Sequence, residues 1–127
     1  MSNMQKLEWA LKIGVAGEFT GHGLLATGFF DGGKPKADWV GWMMRFTHLS
    51  HDTAATFVMI VGITDVVVAL VVLVKPINWV LLWATFWGFW TALIRPLMGV
   101  GWLDFIERFA NFGAPLALYY LYKINKK

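Results

Sequence analysis

Three stretches of this chain, Phe57 to Val74, Trp79 to Ile94 and Phe109 to Tyr122, carry few or no charges. Each comes close to the roughly 20 residues that a bilayer's hydrocarbon core demands of a helix. A soluble domain of 127 residues has too little interior to hide so much apolar side chain. Composition agrees: 57% of residues are hydrophobic and only 15% charged, against roughly 25% charged in an ordinary soluble domain. The expectation is an all-α integral membrane protein, a four-transmembrane-helix bundle forming a single domain over residues 1–127.

The spans are expected near 6–29, 51–74, 79–98 and 103–122. Span one is the least apolar, because Glu8, Lys12, Glu18 and His22 interrupt it. A cleaved signal peptide is a poor reading of it, since no small-residue cleavage site follows. The turn residues from Asp31 to Lys36 open the longest connection, 31–50, whose Trp39, Trp42, Met43 and Met44 predict a segment lying in the membrane interface. Pro76-Ile77-Asn78 and Gly99-Val100-Gly101 supply the other two turns.

An even number of spans leaves both termini on one side, with Lys6, Lys12, Lys75, Lys123, Lys126 and Lys127. The opposite loops hold Lys34, Lys36 and Arg45 diluted by Asp31, Asp38 and Asp52. The positive-inside rule then places both termini in the cytoplasm. The net charge of +3 comes without a basic helix or aromatic-basic interleaving, so nucleic acid is not an expected partner. With no cysteine, disulfides, thiolate metal sites and cysteine nucleophiles are excluded.

Ionisable residues inside the spans carry the most information, since a charge at mid-membrane costs about 2.5–3.5 kcal/mol even on the lenient insertion scale. Glu18 and Asp65 fall near the midplane of spans one and two, with His22 about 6 Å further out. Arg95 on span three, and Arg108 and Asn111 on span four, come out in the same outer half. Glu18 and His22 are one turn apart and share a face; Arg108, Asn111 and Tyr119 share another. The stripe through Asp65 runs by Val58 and Ala54 to His51. Glycines 14, 17, 21 and 23 beside the first pair permit close helix approach or leave room for a ligand. The bland alternative is that these acids and arginines neutralise one another, Glu18 or Asp65 against Arg95, and fix helix register. His48 and His51 then read as rim polar surface, and Glu107 and Arg108 as headgroup-level charges.

Gly21-His22-Gly23 late in span one, Gly62-Ile63-Thr64-Asp65 in span two and Glu-Arg-x-x-Asn-x-x-x-Pro-Leu-Ala-Leu from Glu107 to Leu118 resemble the DoxX/DoxD group of small bacterial membrane proteins. That group more usually carries Glu where this chain has Asp65, and the tryptophan-rich connection lies outside its pattern. The resemblance implies a multi-pass subunit of a redox-linked complex in the bacterial inner membrane, the best understood relative being a quinone-linked thiosulfate oxidoreductase.

Three functional classes follow. In the first, Glu18, His22 and Asp65, with Arg95, Arg108 and Asn111 around them, hydrogen-bond a quinone and pass protons beside a wall of Trp87, Phe89, Trp90 and Met98. In the second, the chain is a structural or assembly subunit, buried against other membrane subunits or a second copy of itself. The third, ranked lowest, is a metal site of Glu18, His22, His51 and Asp65. No electron carrier is legible in the chain, so catalysis by it alone is not expected.

Overall fold

The computed structural model describes residues 1–125; the two lysines counted toward the charge bias at positions 126 and 127 lie outside the described residues. Within them the chain is helical, without a strand. The helices are α1 (Asn3–Thr27), α2 (Ala37–Thr47), α3 (His51–Val74), α4 (Asn78–Leu97), α5 (Trp102–Ile106) and α6 (Phe109–Asn125). Two of them, α3 and α4, are long and apolar enough to cross a membrane. At a rise of about 1.5 Å per residue they reach about 36 and 30 Å.

Local chemistry sets the helix ends. At the start of α1, the Gln5 N–H donates to Ser2 Oγ (3.1 Å) and the Ser2 N–H donates back to Gln5 Oε1 (2.8 Å), a reciprocal capping box. Ser50 begins α3 in a similar way, accepting from the Thr53 N–H at 3.4 Å. Span one stops two residues short of its expected end at 29. There Gly28, at φ +70°, lets the Phe29 N–H reach Leu24 C=O and its own N–H reach Leu25 C=O. The same paired bonds close α4, from Val100 to Arg95 and from Gly99 to Pro96, with Gly99 at φ +85°. Both are Schellman caps, which need the left-handed residue that glycine supplies most easily. His48 closes α2 at φ 61°, its N–H on Met44 C=O at 2.8 Å.

Expected span four is not one helix. The chain turns at Glu107–Arg108 between α5 and α6, where the Asn111 N–H tightens onto Arg108 C=O at 2.9 Å. Arg108 therefore lies just before α6 rather than in one helix with Asn111 and Tyr119. The connection at 31–50 contains a helix, α2.

The described chain divides into two compact units, Met1–Gly17 with Leu70–Lys127, and Glu18–Ala69. In the first, α4 packs against α5 and α6. A Cβ on Gly88 would lie 2.5 Å from the Asn111 carbonyl oxygen, so α6 approaches α4 across a bare glycine. That carbonyl is the one whose helical donor would be residue 115, and Pro115 has no N–H to give. Phe89 packs on Phe105 and Phe112, with ring centroids 5.9 and 5.4 Å away. In the same unit Tyr122 donates a 3.0 Å hydrogen bond to Glu8 Oε2.

The second unit is built on the crossing of α1 and α3. A Cβ at Gly62 would lie 2.8 Å from the Gly23 carbonyl oxygen and 2.9 Å from Ala26 Cβ; one at Gly23 would lie 2.7 Å from the Gly62 carbonyl oxygen. Backbones approach this closely only where both side chains are missing. α2 covers the neighbouring surface, Val40 joining Ala26, Ala54 and Val58 in the core while Trp39, Met43 and Met44 pack against it. Of the four glycines expected to permit close helix approach or leave room for a ligand, Gly23 lies at a close approach, while a Cβ at Gly14, Gly17 or Gly21 would meet open space.

The outward faces of α3 and α4 are apolar as well as their buried ones. Large apolar side chains stand exposed along α3 (Phe57, Ile60, Ile63, Val67, Leu70) and α4 (Trp79, Leu82, Trp83, Phe86). Contiguous exposed apolar surface on this scale marks an interaction with lipid or with another protein.

Candidate functional site

Three charged residues are buried among the described residues, and each lies on the buried stripe of its own helix. On α3 the stripe runs Ala54, Val58, Gly62, Asp65, Val68, Ala69 and Val72, at intervals of three and four; Asp65, 2% exposed, stands in the middle. On α4 it runs Leu81, Ala84, Gly88, Ala92 and Arg95, with Arg95 6% exposed at the end. On α1 it runs Lys12, Val15, Ala16, Phe19, Gly23 and Ala26.

Lys12, one of the lysines that give the termini their charge bias, is 8% exposed, its ammonium 4.5 Å from the centre of the Trp9 ring. Counting back from Ala26 through Phe19 and Ala16 by threes and fours reaches position 12, so its place on the buried stripe follows from the helical period. Lys6, by contrast, is exposed.

In the Glu18–Ala69 unit the crossing glycines position the polar groups. His22 directly precedes Gly23, and Asp65 follows Gly62 by one helical turn, so both lie within a turn of the glycines at which α1 and α3 cross. Glu18 lies one turn before His22, and both are half-buried. The ring beside His22 is Trp39 of α2, 5.4 Å between centroids and tilted by 51°. The sequence marks Trp39 only as an interface residue. No spacing rule could bring it to His22, because its placement depends on the turn through Gly28, Gly32 and Gly33, all at positive φ.

The aromatic residues expected to form a wall on span three pack within their own unit. Trp87 stacks on Trp83 (5.4 Å, 15° between planes), and Phe89 belongs to the phenylalanine cluster. The metal alternative loses its ligands: among the described residues no three His, Asp or Glu side chains gather closely enough to hold an ion. His51 is exposed and pairs with its neighbour Asp52 at 3.5 Å, so Glu18, His22, His51 and Asp65 are not a ligand set.

Arg95, Arg108 and Asn111 belong to the other unit. An Nη of Arg95 donates to the Thr91 carbonyl one turn back. Arg108 is half-buried and meets Glu107 at 3.6 Å, while its Nε is enclosed without a hydrogen-bond partner. Asn111 contributes its backbone to the contact with Gly88. His48, the remaining rim histidine, is exposed and serves as the left-handed cap of α2.

Chemically, the first group offers an imidazole, with a donor and an acceptor nitrogen when neutral, and carboxylates that accept hydrogen bonds. Comparison with protein-family models, with curated proteins and with solved structures returns no match.

Proposed function

We propose that this chain is a multi-pass membrane subunit of a redox-linked complex, set in the bacterial inner membrane with both termini cytoplasmic. Its group of Glu18, His22 and Asp65 receives the headgroup of a quinone. One observation carries the reading: a carboxylate, Asp65, is buried in the middle of a helix whose outward face is apolar enough for lipid. Packing alone would be served there by Val or Ala, and an intramembrane ionisable residue is a functional candidate by default. The resemblance of Gly21-His22-Gly23 and of the segment 107–118 to DoxX/DoxD proteins points the same way.

His22 is the group suited to hydrogen-bond a quinone oxygen, with Trp39 offering a ring face beside it. Glu18 and Asp65 hold protons for the two-proton uptake that accompanies quinone reduction, and His22 hands them on. A bound quinone would supply the redox chemistry, its two electrons coming from a carrier on a partner subunit, since this chain has no cysteine or haem-attachment motif.

Lipid extraction of the gently purified protein tests the proposal. Quinone should be retained by wild type and lost from His22→Ala and Glu18→Gln, with both variants still inserted in the membrane. Equal retention in all three proteins would place the quinone away from His22 and Glu18, and absence of quinone from all three moves the reading to a structural or assembly subunit.

A further inference from the structure

The turn that follows α1 holds a pair of residues that occurs once in the chain, Asp31 followed by Gly32. The other four aspartates precede Trp39, Thr53, Val66 and Phe105, and no asparagine precedes a glycine. Geometry sets the pair apart as well. Both residues are exposed. The Asp31 and Gly33 N–H groups each donate to the Gly28 carbonyl at 2.9 Å, and the Lys34 N–H donates to the Asp31 carbonyl at 3.3 Å. Gly32 and Gly33 stand at φ +66° and +81°, so residues 31–34 form a β-turn whose two central residues are left-handed.

Within that turn the Gly32 N–H is the one that donates no hydrogen bond among the described residues. The Asp31 carboxylate makes no hydrogen bond or ion pair among them either. A Cβ on Gly32 would meet open space. A main-chain nitrogen free of hydrogen bonding, an unheld carboxyl on the residue before it and a glycine that offers no side chain to obstruct their approach are what closure of a five-membered ring requires. Glycine's wide range of backbone conformations lets the two atoms reach one another without opposing strain.

We propose that Asp31 is a site of spontaneous covalent modification, isomerising to isoaspartate through a cyclic imide. The Gly32 nitrogen attacks Asp31 Cγ in its protonated carboxyl form. The N–Cγ bond forms, the Cγ–OH bond breaks, and the hydroxyl leaves with the amide proton as water. Water then adds back to one of the two imide carbonyls. Addition at Cγ restores aspartate, whereas addition at the original main-chain carbonyl breaks the old peptide bond and leaves the chain running through Cβ and Cγ. No electron is transferred, the mass is unchanged, and the main chain is one carbon longer. The carbonyl that accepted the Lys34 N–H becomes a free carboxylate. This turn carries the chain from α1 into α2, where Trp39 lies beside His22, so the modification bears on the candidate site. The inference depends on neither the quinone nor the membrane reading.

Prolonged incubation of the purified full chain at neutral pH, followed by tryptic digestion, tests it. Residues 13–36 come away as one peptide, because trypsin does not cut between Lys34 and Pro35, and Asp31 is the only aspartate within it. Electron-transfer fragmentation separates isoaspartate from aspartate by cleavage of the Cα–Cβ bond. Isoaspartate should accumulate at Asp31 several-fold faster than at Asp38, Asp52 or Asp104, and at a rate close to that in a free synthetic peptide spanning 27–36. Gly32→Ala should slow it several-fold. Equal rates at all four aspartates, or an unchanged rate in Gly32→Ala, overturns the proposal. A rate far below that of the free peptide overturns it too, since the folded turn would then withhold the Gly32 nitrogen from the carboxyl.

Discussion

Replacing Gly62 by alanine puts one methyl group where α3 passes α1. The structure leaves that carbon 2.8 Å from the Gly23 carbonyl oxygen, 2.8 Å from Thr27 Cγ2 and 2.9 Å from Ala26 Cβ. None of the three is the end of a flexible side chain, so the helices must part by about half an ångström or more to restore ordinary contact. Overpacking of this kind destabilises by about 1–3 kcal/mol. Alanine recovers up to about 1 kcal/mol of helix propensity relative to glycine. The expected net loss is about 1–2 kcal/mol. Gly21→Ala is the matched control: it lies on the same α1, exposed, with nothing within 4 Å of the new carbon, so only the favourable propensity term remains. Thermal unfolding in detergent, followed by far-ultraviolet circular dichroism, should place Gly62→Ala below wild type and Gly21→Ala at or above it. Equal midpoints for the two variants would refute the claim that bare backbone at this crossing holds α1 against α3.

Three further outcomes are expected. Gly28→Ala combines a φ of +70° with a Cβ that would overlap the Lys34 carbonyl, so it should open the turn to limited proteolysis, whereas Gly32→Ala, at φ +66° in open space, should carry only the backbone strain of about 1–2 kcal/mol. Gly88→Ala, with its carbon 2.5 Å from the Asn111 carbonyl, should lower the unfolding midpoint, while Gly113→Ala, which meets nothing, should not. Tyr122→Phe and Glu8→Gln should each lose about 0.5–1.5 kcal/mol from the Tyr122–Glu8 hydrogen bond, and the double variant should show less than the sum; strict additivity would mean that the bond contributes nothing.

Much of the helical layout was legible because apolar length and turn chemistry agree. The expected 51–74 span is α3, and the 79–98 span differs from α4 by one residue at each end. The early stop of α1 was written in Gly28, which became readable as a cap only once the Phe29 and Gly28 N–H groups could be assigned. The break at Glu107–Arg108 had no local signal, since neither residue punctuates a helix. Asp65 and Arg95 were legible as polar residues in apolar spans, and their burial follows from periods of three and four. The burial of Lys12 follows from the same period. Trp39 was missed because a ring contact across a nine-residue turn is set by three-dimensional packing.

The central claim is that α3 carries Asp65 inward while its outer face meets lipid. Because the chain has no cysteine, single cysteines can be introduced without background at Ile60, Ile63, Val67 and Leu70 on the exposed face and at Ala54, Val58 and Ala69 on the buried stripe. Spin labels at these positions, read in liposomes for collision with oxygen, which enriches in lipid, and with a water-soluble nickel chelate, report the solvent of each face. The account predicts high oxygen and low nickel accessibility at 60, 63, 67 and 70, and low accessibility to both at 54, 58 and 69. Nickel accessibility at the outer positions equal to that at exposed Ser2 would contradict it, placing α3 in water and Asp65 in the core of a soluble protein.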